Sequence, residues 1–118
     1  MRYWQAGALV AALWLGAATP QNTGHVGRAS WYGAWHQNHR TADGSLFDAA
    51  GFTAASRTLP LGRHVRVCNL RNGLCVVVTV TDRGPYVRGR VIDLSRAAML
   101  AIGGIGPGVV PVSIDPLP

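Results

Sequence analysis

The sequence predicts a mainly β fold, a small closed barrel of about six short strands with one short helix. Three observations lead there. Short β-branched or alternating runs recur along the chain, separated by Gly, Pro and Asn-Gly turn signals. A single segment carries both the start and the stop signals of a helix. The 118 residues suffice for one domain and show no internal repeat. Closure is preferred to an open sandwich because it leaves no exposed strand edge.

The first eighteen residues read as an address. Arg2 gives a positive start, Ala6 to Ala18 is an apolar run short for a bilayer span, and Gly16-Ala17-Ala18 offers small residues to signal peptidase. Residues 1–18 are therefore expected to be a cleavable signal peptide, with an uncleaved anchor as the alternative. No cysteine follows the run to carry a lipid, so no stable membrane anchor is expected. Residues 19–26 are expected to be a flexible tether and 27–115 the barrel domain.

His25 to Gly33 reads as a first strand, with Ala29 and Trp31 alternating against polar neighbours. Ala34 to Phe52 has no sustained periodicity and is punctuated by Asp43-Gly44 and Ala50-Gly51, so it is expected to be a long and therefore functional loop. Thr53 to Ser56 is a short strand, and Leu59-Pro60-Leu61-Gly62 turns the chain. His64 to Asn69 puts Val65 and Val67 on one face, and Cys75 to Thr81 is its hairpin partner, rich in valine. A strand from Val87 to Leu94 follows. Ser95 then caps a helix from Arg96 to Ile102, stopped by Gly103-Gly104, and Val109 to Ile114 is the last strand.

Two cysteines this close in an exported chain read as a disulfide, Cys68 to Cys75, with free thiols as the alternative. A two-residue Asn72-Gly73 turn would leave them diagonal, whereas a four-residue loop from Leu70 to Gly73 puts them opposite and is the expectation. Metal-ligand spacing is absent around them and around His36, His39 and His64, so no metal or cofactor is expected.

The chain has eleven arginines and no lysine, five aspartates and no glutamate, for a net charge of +6. Nucleic acid is disfavoured as a partner, because the arginines are scattered and the chain is exported. An acidic polymer outside the cytoplasm fits, as peptidoglycan, anionic headgroups or acidic polysaccharide; a plain bias toward arginine is the bland alternative.

The most informative stretch is Thr79 to Ser95, TVTDRGPYVRGRVIDLS. Asp82 ends a strand just before the Gly84-Pro85 turn, where it is either a working acid or a turn former. Asp48 lies in the long loop and is a candidate to line a cleft, Asp43 reads as a turn residue, Asp93 as a cap or turn residue, and Asp115 as solvated. Breaking a glycosidic bond needs a carboxyl held protonated by burial, and pairing with Arg83 would oppose that at Asp82. Hydrolysis uses two carboxylates, but displacement by a sugar's own hydroxyl needs only one. Trp31, Tyr32 and Trp35 suit stacking on sugar faces, although Trp31 fits a core position equally well. No Gly-x-Ser-x-Gly elbow is present.

The order ASWYG at Ala29 to Gly33, RTADG at Arg40 to Gly44, TAA at Thr53 to Ala55, TLPLG at Thr58 to Gly62, DRGPY at Asp82 to Tyr86 and IDLS at Ile92 to Ser95 resembles one family. It is that of rare lipoprotein A, the septal-ring lytic transglycosylases, with expansins and family 45 endoglucanases as more distant kin. The resemblance implies a six-stranded double-psi β-barrel that acts on peptidoglycan glycan strands and leaves 1,6-anhydro-sugar ends. It implies Asp82 as the catalytic acid; Trp31, Tyr32, Asp48, Arg83, Tyr86 and Arg90 are the residues expected to bind substrate around it. Ser45 stands where the family's usual acid follows the Thr-Ala-Asp-Gly turn, and Ser56 where a histidine follows Thr-Ala-Ala. A catalytically silent, expansin-like glycan-binding barrel is therefore the alternative. A monomer in the periplasm or outside the cell is expected.

Overall fold

The computed structural model describes residues 25–33 and 36–118; the expected signal peptide, most of the tether and Trp35 lie outside them. The alternating runs become β1 (His25–Trp31), β2 (Thr53–Ala55), β3 (His64–Asn69), β4 (Cys75–Asp82), β5 (Arg90–Leu94) and β6 (Val110–Pro116), with α1 (Arg96–Ala101) after β5. They close into a barrel as expected, and its strand order is β1-β5-β2-β4-β3-β6. β1 with β5 and β2 with β4 are parallel, and the remaining pairs are antiparallel.

Inward alternation explains the core. Val65 and Val67 of β3, Val78 and Val80 of β4, Ile92 and Leu94 of β5, and Val110 and Val112 of β6 are buried in one cluster. Full burial of each such side chain contributes about 1.5–3 kcal/mol. α1 plugs one end of the barrel with Ala98 and Met99, and Ile102 joins them. The Ser95 hydroxyl caps this helix, accepting from Ala98 N at 3.2 Å and donating to Gly51 O at 2.6 Å. At Gly27 a Cβ would lie 2.5 Å from the Val91 side chain, so only glycine lets β1 run this close to β5 there.

The hairpin between β3 and β4 has the four-residue loop. Asn69 N donates to Leu74 O at 2.8 Å, Cys68 faces Cys75 in the register, and the two form a disulfide with Cα atoms 4.0 Å apart. Asn69 is buried, and its amide donates to Ile102 O at 2.8 Å, which ties this hairpin to the end of the helix.

Four boundaries differ from expectation. β1 takes in His25 and Val26, which pair with Ile114 and Ser113, so the barrel starts inside the expected tether. β6 runs past residue 115 because Pro116 pairs with Val65. The strand expected from Val87 begins only at Arg90: Val87 O accepts from Arg90 N at 3.1 Å, and Gly89 has a φ of 84°, so residues 87–89 turn rather than extend. Ile102 caps α1 instead of extending it.

Candidate active site

Strand register places the site. Asp82 at the end of β4 is the partner of Ala55 in β2, Ala55 is the partner of Asp93 in β5, and Asp93 is the partner of Ser30 in β1. Laterally paired residues share a face of the sheet, so two carboxylates flank a small alanine. Two strand spacings separate their backbones by about 10 Å. Ala54 points into the main core, whereas Ala55 packs with Tyr32 and Phe47 under the loop that precedes β2.

Tyr32 bridges this row. Its ring is buried, stacks on Phe47 at 4.4 Å between centroids and meets His36 edge-on at 4.9 Å. Its hydroxyl donates to Asp82 Oδ2 at 3.0 Å. Burial, together with the negative charge of Asp82 and Asp93, raises the phenol far above its ordinary range, so it remains a donor. Asp82 Oδ1 accepts from Ala42 N and from Arg83 N, each at 2.9 Å. Asp43 N donates to Thr81 O at 3.1 Å, so the long loop is pinned to the end of β4 beside the acid.

Asp93 belongs to this site rather than to a cap or turn. Burial pushes its carboxyl upward and Asp82's charge adds to that; the Ser30 hydroxyl at 3.1 Å and the charges of His36 and Arg90 act the other way. The signal for it was in the alternation. Ile92 and Leu94 point inward, so Asp93 between them faces the opposite side, the side of the row.

The remaining candidates separate. Arg90 is half-buried on β5 and its charge reaches Asp93. Arg83, expected to orient substrate, directs its guanidinium to the carbonyls of Ser56 at 3.0 Å and Leu59 at 2.6 Å and touches Asp82 only through its backbone. Buried Ser56 completes that turn, its hydroxyl accepting from Thr58 N and Leu59 N. Tyr86 is exposed in the loop that follows the cis Gly84-Pro85 bond. Asp48 braces the long loop, accepting from Gln37 Nε2 at 3.3 Å and Ala50 N at 3.1 Å. Half-buried Trp31 packs against the core and lines a cavity of about 380 Å³ together with Tyr32, Gly33, Gln37, Ala49 and Arg96.

Ser45 and Asp43 account for the position where the resemblance expects an acid. Asp43 Oδ1 accepts from the hydroxyls of Thr41 and Ser45, each at 2.6 Å, and from Ser45 N at 3.0 Å. These bonds, Ser45's first, hold the carboxyl below its ordinary range. The loop thus carries a fixed anion rather than a proton donor. Among the described residues, no group of three His, Cys, Asp or Glu side chains is placed to hold a metal.

A closed six-stranded barrel with two parallel pairs in this order, bearing its acids on a row at the strand ends, is a double-psi β-barrel. The family model described as lytic transglycolase matches residues 25–114, and the chain belongs to that family. It is 54% identical over 89 residues to the probable endolytic peptidoglycan transglycosylase RlpA of Synechocystis sp., covering 75% of this chain and 28% of that protein. To the endolytic peptidoglycan transglycosylase RlpA of Pseudomonas aeruginosa it is 49% identical over 90 residues, with 76% and 26% covered. The corresponding protein of Vibrio cholerae is 44% identical over 96 residues, with 81% and 36% covered. The chain therefore spans about a quarter to a third of the length of these relatives.

Solved structures share the fold. A Streptomyces papain inhibitor superposes with a TM-score of 0.66 at 24% identity, covering 86% of this chain and all of that one. An expansin of Clavibacter michiganensis does so with a TM-score of 0.65 at 22% identity, covering 80% of this chain and 50% of that one.

Proposed function

We propose that this barrel is a peptidoglycan-directed lytic transglycosylase that cuts glycan strands and leaves 1,6-anhydro-sugar ends. The observation that carries the reading is the Ser30-Asp93-Ala55-Asp82 row, in which two carboxyls in different environments stand on either side of a small buried alanine, with the Tyr32 hydroxyl bonded to one of them. Family membership and the names of the relatives support the substrate class.

Two proton transfers are needed. Asp93, raised by burial, is suited to give its proton to the glycosidic oxygen as the C1–O bond breaks. The C6 hydroxyl of the same sugar attacks C1, and its proton passes to Asp82, held in place by Tyr32, Ala42 N and Arg83 N. No water enters the product. One proton has left Asp93 and one has reached Asp82, so solvent exchange restores the starting state. This assigns to two residues what a single acid at Asp82 would otherwise do in sequence. Arg90 tempers Asp93, Tyr32 orients Asp82, and Trp31, Asp48 and Tyr86 remain candidates for contacts along the strand.

A second reading is favoured by one observation. Asp43 is locked by Thr41 and Ser45 and supplies no acid from the loop, as befits a barrel that binds glycan without cutting it. Digestion of purified sacculi in ¹⁸O-water separates the possibilities. Anhydro ends without label support the proposal, labelled reducing ends would mean hydrolysis, and binding to sacculi with no new ends would support the silent barrel. The place of action is the periplasm or the exterior, reached by export across the inner membrane. The barrel acts as a monomer without a cofactor.

A further inference from the structure

We propose that the start of β1 and the turn leading into β5 form a face that docks reversibly on an anionic lipid surface. Val26 and Arg28 are two apart on β1, so they share a face, and both are exposed, Val26 at 71%. Arg28 is the lateral partner of Arg90, its N donates to Gly89 O at 3.3 Å, and a Cβ at Gly89 would lie 2.6 Å from its guanidinium. The Arg28 side chain therefore rests on the turn of residues 87–89, where Val87 and Arg88 are exposed as well. Val26, Arg28, Val87 and Arg88 make one patch of aliphatic and cationic side chains, none of which has a part in the glycan chemistry above.

Folding gives no reason for this set. An exposed valine adds nothing to the core, and Arg28 opposite Arg90 sets like charges side by side, which weakens a strand pair. Among the described residues no hydrogen bond or ion pair holds the guanidinium of Arg28 or of Arg88. The five aspartates lie elsewhere: Asp43 and Asp48 in the long loop, Asp82 and Asp93 in the row, and Asp115 opposite Arg66. A planar guanidinium suits a phosphate, and aliphatic side chains beside it enter the headgroup layer, whereas a soluble polyanion would leave them in water. Two valines hold little by themselves, so the contact needs both kinds of residue and stays reversible. The position of the patch favours the same partner. His25 opens β1 at this corner and follows the apolar run Ala6 to Ala18 after six residues, a reach of about 20 Å when extended. The face is thus presented to the membrane that the chain crosses on export.

The test is flotation with vesicles, using the chain without its first eighteen residues, which keeps the closed barrel whole. The probes are mixed phosphatidylglycerol and phosphatidylcholine vesicles, phosphatidylcholine vesicles, and soluble polyphosphate. One variant carries Arg28→Gln with Arg88→Gln and the other Val26→Ser with Val87→Ser; Tyr86, a candidate glycan contact, is kept in both. Circular dichroism checks each fold, which four exposed side chains leave undisturbed. The parent is expected to bind the anionic vesicles and not the neutral ones, with binding about tenfold or more weaker in either variant and weakened by salt. No binding to anionic vesicles by the parent, or binding that survives the arginine changes, would overturn the face. Binding that the valine changes leave intact, with polyphosphate held as tightly as vesicles, would make a soluble polyanion the partner and would overturn it too.

Discussion

Asp93 shows how one side chain links stability to function. Burial raises its folded pKa above that of the unfolded chain. The folded protein therefore holds that proton more tightly, which favours folding below the unfolded pKa and is lost as pH rises through the folded value. Asp93→Asn removes this loss. Its melting temperature relative to the parent is expected to increase as pH goes from about 4 to 7, while glycan cleavage falls at least a hundredfold, about the smallest loss typical of a proton donor. A variant that is active and no more stable at neutral pH would contradict the role. For the parent, activity is expected to persist above the range of an ordinary carboxylic acid and to fall as pH rises through Asp93's pKa. Tyr32→Phe keeps the stacked ring and loses the bond to Asp82, so kcat is expected to drop about tenfold or more with little change in melting temperature.

At the scale of elements, the hairpin and its turns were the most legible part of the chain. His64 to Asn69 matched β3 residue for residue because alternation around Val65 and Val67 admits one register, and the four-residue loop followed from what opposite cysteines require. Residues 87–89 were misread because a lone valine between Gly84 and Gly89 satisfies a strand pattern locally, whereas the turn at Gly89 holds the strand back to Arg90. Asp82 was legible from its place before a Gly-Pro turn. Asp93 was not, because its neighbour in the site is set by the β2–β5 pairing, a contact between distant segments. Arg83 was read as a substrate contact because sequence cannot show that Ser56 O and Leu59 O lie within its reach. Arg83→Met is expected to destabilise by about 1–3 kcal/mol by leaving those carbonyls without their donor, and urea unfolding would measure it. Replacing both cysteines by serine is expected to cost roughly 2–3 kcal/mol, read from the same experiment, and the parent's mass should not change on alkylation without reductant.

Across the whole molecule, one closed sheet serves two purposes. Its inner face holds the valine and isoleucine core, and the outer face of β4, β2, β5 and β1 carries the acid row under the long loop. The parallel pairing of β2 with β4 and its antiparallel pairing with β5 place Asp82 and Asp93 on either side of β2 rather than on the two strands of a hairpin. The core fixes their spacing, which explains how a chain with only five aspartates assembles a two-carboxyl site. The most direct measurement is mass spectrometry of sacculi digested in parallel by the parent, Asp82→Asn and Asp93→Asn. Anhydro-glycan ends from the parent, with both variants depleted by at least about a hundredfold, are the predicted result. Undiminished anhydro ends from either variant would contradict the two-carboxyl site.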